Sequence, residues 1–173
     1  MGARDGPLPR RALIGTAGAV LAAALATAFF FLAREPALEI RDGRGRRIAE
    51  LRIPEGEFSL VFRHSFHLTP VEERFVIERE GSFRARMRLR ELRYQSTGVG
   101  MPADAEGGYR LEGDFFVVSM DRAFESIPIL VSILPGHGVV TGEGYLPFRN
   151  WASPEDSIDL RARLVLAPLF PRR

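Results

Sequence analysis

Residues 12–33 form an unbroken apolar block with no charged side chain, and from residue 36 onward apolar and polar positions alternate with period two. That period belongs to strands with one face buried, because successive side chains point to opposite faces. In 157–166 the apolar set is Ile158, Leu160, Ala162, Leu164 and Leu166, with Asp159, Arg161 and Arg163 between them. In 57–63 it is Phe58, Leu60 and Phe62, and the same parity carries on to His64. Segments 74–80 and 84–90 predict a hairpin closed by Gly81-Ser82-Phe83. Phe75, Ile77, Ala85, Met87 and Leu89 then share a face, Glu80 falls opposite Arg84, and Glu78 falls opposite Arg86. Opposite charges facing each other across strands contribute about 0.2–1 kcal/mol per pair. Segments 115–120 and 127–134 are continuous apolar runs, as strands buried on both faces would be. Pro128 puts the second of them at an edge or a bulge.

No long segment after the apolar block keeps a 3.6-residue period. Glycine and proline separate the strands, at Gly98-Val99-Gly100-Met101-Pro102, Gly107-Gly108, Pro135-Gly136 and Gly142-Glu143-Gly144. The predicted fold class is all-β: a single antiparallel β-sandwich or open barrel of roughly eight to ten strands, preceded by one N-terminal transmembrane helix.

A helix of about 20 apolar residues spans the hydrocarbon core of a bilayer. Arg10 and Arg11 precede the block, and Arg34-Glu35-Pro36 follows it. The predicted organisation is a cytoplasmic tail at 1–11, a signal anchor at 12–33 and an extracytoplasmic β domain at 34–173. This places the protein in the inner membrane as a single-pass protein with its C-terminal domain in the periplasm. The alternative is a signal peptide cleaved after Ala26-Thr27-Ala28, releasing the domain into the periplasm. Cleavage there would leave Phe29-Phe30-Phe31 at the new N-terminus, so the retained anchor is preferred.

Composition removes several classes of chemistry. There is no cysteine, which excludes disulfides, thiolate nucleophiles and zinc–thiolate sites. All 24 basic residues are arginine, and the formal net charge of +2 resides in the first eleven residues. The remainder is balanced, a poor match to phosphate backbones, so no nucleic-acid partner is expected.

Candidate chemistry concentrates in His64-Ser65-Phe66-His67-Leu68-Thr69-Pro70-Val71-Glu72-Glu73. If the preceding strand persists, His64 points inward and Ser65 points away from it, so the pair is no catalytic triad. No Gly-x-Ser-x-Gly elbow is present. One reading is a structural corner in which His64 and Glu72 clamp two strands around the Thr69-Pro70 turn, as in a purely structural envelope protein. The other is a small hydrolase or metal enzyme using His64, His67 and Glu72 or Glu73, with His137 as a further nitrogen ligand, although the spacing matches no metal signature. The Arg84–Arg90 stripe reads as a solvated face paired with Glu78 and Glu80. The lone Trp151 reads as packing.

The run His64-Ser65-x-x-x-Thr69-Pro70-Val71-x-Glu73 resembles the signature of the bacterial domain of unknown function 1850 family. Tyr94 followed by Gly98, Gly100 and Pro102 resembles its second motif, and Gly136-His137 with Leu146-Pro147 a C-terminal element. The resemblance covers about residues 37–166. It implies that His64, Ser65, Thr69, Pro70, Glu73, Gly98, Gly100 and Pro102 are motif residues with no assigned role, and it brings no established biochemical activity; no cofactor is expected, and the chain is not expected to be an enzyme. Genes of such proteins often sit beside those of TRAP transporters of the TAXI type. The implied role is therefore a periplasmic accessory or binding module, with the TRAP permease and the TAXI solute-binding protein as expected partners.

Overall fold

The structure, a computed structural model, describes residues 19–28, 34–95 and 108–167. Residues 19–28 are helical, and Thr27 Oγ1 donates to the Ala23 carbonyl at 2.8 Å. Among the described residues no helix is long and apolar enough to cross a membrane. Residues 12–18 and 29–33 of the expected anchor lie outside the described residues.

The β domain contains eleven strands among its described residues, numbered in chain order, where eight to ten were expected. One sheet has the order β2 (Arg47–Arg52), β1 (Arg34–Asp42), β11 (Ser157–Leu166), β8 (Ile127–Leu130). The other has the order β10 (Gly144–Pro147), β9 (Gly138–Thr141), β3 (Glu57–Arg63), β4 (Pro70–Glu80), β5 (Arg84–Tyr94), β7 (Phe115–Phe124), β6 (Arg110–Glu112). Leu38 and Ile40 of β1 and Ile158 and Leu160 of β11 share one buried cluster with Phe58, Leu60, Phe75, Ile77 and Met87 of the larger sheet. Of the two expected forms, the domain takes the sandwich: two sheets pack across a common apolar layer without closing.

The β4–β5 hairpin has the predicted register, with Glu78 opposite Arg86, Glu80 opposite Arg84, Ile77 opposite Met87 and Phe75 opposite Leu89. A bulge at Arg90 on β5 then shifts the parity. A bulge inserts one residue into one strand of a pair and so returns later side chains to the same face. Met87 and Leu89 before it, and Leu92 and Tyr94 after it, all face inward. Leu92, Tyr94, Val71 and Val118 form a second buried cluster, with Phe62, Phe116 and Met120 packed against it. The core thereby extends to the end of the sheet where β3 hands over to β4.

The outer face of the same sheet is a lattice of charge. Glu78 bridges Arg86 and Arg88 at 3.1 and 2.7 Å, Arg88 reaches Asp121 at 2.7 Å, and Arg93 reaches Glu112 at 2.8 Å. The Arg84–Arg90 stripe is thus spent on neighbouring carboxylates.

The run 127–134 departs from the expectation of one buried strand. β8 ends at Leu130, and Leu130 and Ile133 are exposed. Pro128 does lie on an edge strand, opposite Asp159 of β11. Beyond it, Val131 exchanges backbone bonds with Glu155 and Asp156 (2.8 and 2.9 Å), which turns the chain out of the sheet. Trp151 packs, half-buried, against the main core as expected.

Candidate functional site

β3 spans Glu57–Arg63, the expected bounds, so the strand does not persist through His64. The His64 N–H donates to the Thr69 carbonyl at 2.9 Å, and the Leu68 N–H donates to the His64 carbonyl at 2.8 Å. Leu68 takes φ 57° to close this turn, and Pro70 opens β4 opposite Arg63. The imidazole caps its own loop, since Nδ1 accepts the N–H groups of Phe66 and His67, each at 3.3 Å. Short polar side chains that bond nearby backbone in this way stabilise turns at the expense of regular strand.

Because Ser65 sits in a turn, strand alternation no longer separates it from His64. Both line a cleft of about 460 Å³ at this end of the sandwich. Leu60, Phe62 and Glu73 line it from the larger sheet and Ile127–Leu130 from β8 of the smaller one, with Ser132 and His137 completing the lining.

Glu73 is the unusual member. It stands on the inner, apolar face of β4, opposite Leu60 of β3 and Leu92 of β5, with Val71 and Phe75 two residues to either side. Half-buried, it has no hydrogen bond or ion pair among the described residues. Burial alone pushes its carboxyl above the ordinary glutamate value. Its neighbour Glu72 points to the outer face. There, burial works against the charge, but Arg74 (3.0 Å), Ser59 Oγ (2.9 Å) and Arg93 (3.5 Å) hold the carboxyl below its ordinary value. Adjacent carboxyls thus have opposite environments because adjacent strand residues have opposite faces.

His137 is held from three sides. The Ser132 N–H donates to Nδ1 at 2.9 Å, and the Phe148 N–H donates to the His137 carbonyl at 3.1 Å. The ring meets Phe148 edge-on at 4.9 Å and Phe62 at 6.0 Å. With Nδ1 as acceptor, the neutral ring carries its proton on Nε2. Burial pushes its pKa down and favours that neutral form.

The structure therefore gathers His64, Ser65 and Glu73 of the expected motif in one cleft. Thr69 and Pro70 build the turn that places them, while Gly98, Gly100 and Pro102 lie outside the described residues. The corner clamp between His64 and Glu72 is not formed, since the two point to different sides of the sheet. His67 packs 5.1 Å from the His64 ring and edge-on to Phe66, off the cleft lining. Among the described residues no three His, Asp or Glu side chains come together as a metal site, and no hydrogen bond joins the Ser65 hydroxyl to a histidine.

Sequence reasoning gave His137 no role beyond an optional metal ligand and did not foresee Ser132 or the β8 wall. The signal available was the flanking Gly136 and Gly138. At Gly138 a Cβ would lie 2.4 Å from the Leu146 carbonyl oxygen and 2.8 Å from Pro147 Cα, so a glycine is needed where the chain delivers His137.

The family model described as "Domain of unknown function (DUF1850)" matches residues 58–148, just over half of the chain. The match opens on Phe58 and closes on Phe148, and it takes in both walls of the cleft. Comparison with curated proteins and with solved structures gives no match.

Proposed function

We propose, from the premise that this chain belongs to the DUF1850 family, that it is a membrane-anchored periplasmic binding module, an accessory of a TRAP-type (TAXI) solute transporter. The observation that carries the binding role is the cleft itself. Its volume lies in the range of small-molecule sites, about 300–1,000 Å³. It combines apolar walls from both sheets with a few convergent polar groups, His64, Ser65, Glu73 and His137. Nucleophilic catalysis requires a nucleophile hydrogen-bonded to an oriented base, whereas this polar set is spread over the walls of an apolar cleft, an arrangement suited to recognition.

Anchoring rests on the 22 uncharged residues of 12–33 and the Arg10-Arg11 pair before them. The transporter association rests on the family resemblance. With an affinity tag on the full chain, membranes solubilised in mild detergent are expected to yield the permease or the solute-binding protein alongside it. Recovery of the chain from membranes with neither partner would overturn the transporter role, and recovery only from the soluble fraction would overturn the anchor.

A further inference from the structure

The sheet that carries Glu73 is rich in arginine, yet none of that arginine serves Glu73. Glu72, Glu78, Glu80, Glu91 and Glu112 on the outer face are each paired with at least one guanidinium. Glu73 alone of the β4 and β5 carboxylates faces inward, and it meets Leu60 and Leu92. A carboxylate partly withdrawn from water without a partner is disfavoured in its charged form, and a hydrogen-bonded cation is the partner that offsets most of that cost. The nearest candidate within the cleft, Arg63, is exposed and directs Nη1 to the Leu68 carbonyl at 3.0 Å. The other titratable groups of the lining are His64 and His137, and both offer Nδ1 to backbone N–H groups. The cleft thus contains an acceptor of charge whose counterpart the described residues do not supply.

We infer that the cleft binds a small organic cation, an ammonium group on an apolar body, with the ammonium on the Glu73 carboxylate and the body between Leu60, Phe62 and Ile129. This rests on the binding role proposed above and names the ligand class. The Phe62 ring beside the site suits a cation, since aromatic faces attract positive charge. Ser65 lines the same cleft, and a serine hydroxyl can serve as a second acceptor for ammonium hydrogens.

The sign of the pH dependence follows. Burial raises the carboxyl's pKa in the empty cleft, and a bound cation favours the ionised form, so binding releases a proton. Affinity for an amine should rise as pH increases through the raised pKa and then level off.

Calorimetric titration of the full chain with phenethylamine, 2-phenylethanol and 3-phenylpropionate separates the possibilities. The amine is expected to bind, more tightly at pH 8 than at pH 5, with the alcohol and acid weaker by about ten- to hundred-fold, the worth of a charge-assisted hydrogen bond. Glu73→Gln keeps the shape and removes the charge, and should erase both the preference for the amine and its pH dependence. Binding of the alcohol or the acid in preference to the amine overturns the cation while leaving the cleft a binding site. Failure of all three overturns the cation and the binding role together.

Discussion

Replacing Phe148 by alanine is expected to destabilise the β domain by about 3–5 kcal/mol, the range for deleting a large aromatic side chain from a packed core. Phe148 is fully buried, in the short helical turn after β10, and belongs to the cluster that both sheets share. Its loss reaches the cleft through one contact: its ring supports the His137 imidazole edge-on at 4.9 Å, while the backbone N–H that donates to the His137 carbonyl is kept by alanine. Urea unfolding should show the drop in midpoint, and any ligand bound in the cleft should dissociate faster. A loss below about 1 kcal/mol would mean that this end of the core collapses around the void.

Gly138→Ala carries the next largest effect, about 3 kcal/mol, toward the upper end of overpacking costs. The added methyl would sit 2.4 Å from the Leu146 carbonyl oxygen and 2.8 Å from Pro147 Cα. Both are backbone atoms of β10, so no side chain can rotate away to make room. Gly138 also pairs with Val61 of β3 and Pro147 of β10, and the β9–β10 hairpin would have to part from one neighbour. Thermal unfolding of the variant tests this. A melting temperature equal to that of the parent chain would show that β10 shifts freely and that packing against β10 does not require glycine after His137.

The strands were legible where strict alternation runs for several residues. β3, the 74–80 part of β4, β11 and the start of β5 follow it, and the β4–β5 register was readable from charge as well as parity; β1, β2, β6, β9 and β10 were not read as strands, and 70–73 of β4 was read as part of the corner motif. Legibility failed where that rule is interrupted. Arg90 forms a bulge, so Leu92 and Tyr94 change parity yet remain inside. The apolar run 127–134 has the composition of a buried strand, but its carbonyl and N–H groups at Val131 are taken by the 155–156 turn, which leaves Leu130 and Ile133 at the surface.

The site followed the same division. Glu73 could be placed inward by parity with Phe75 and Ile77, and the family motif singled it out. The strand ends at Arg63 as read, so the inward placement of His64 that parity would give if the strand persisted does not apply; its imidazole caps a turn instead, a side-chain-to-backbone interaction that periodicity does not register. His137 is far from the motif in sequence. Its approach depends on β9 pairing with β3, a non-local contact invisible to local pattern.

The most direct test of the cleft as a ligand site is native mass spectrometry of the full chain after incubation with a small-molecule extract of its native cells. The parent protein is expected to retain a small adduct of positive charge, released by competing phenethylamine and absent from Glu73→Gln of equal folded stability. Parent and variant that are equally bare, or that carry the same adduct, would contradict a ligand site built on Glu73.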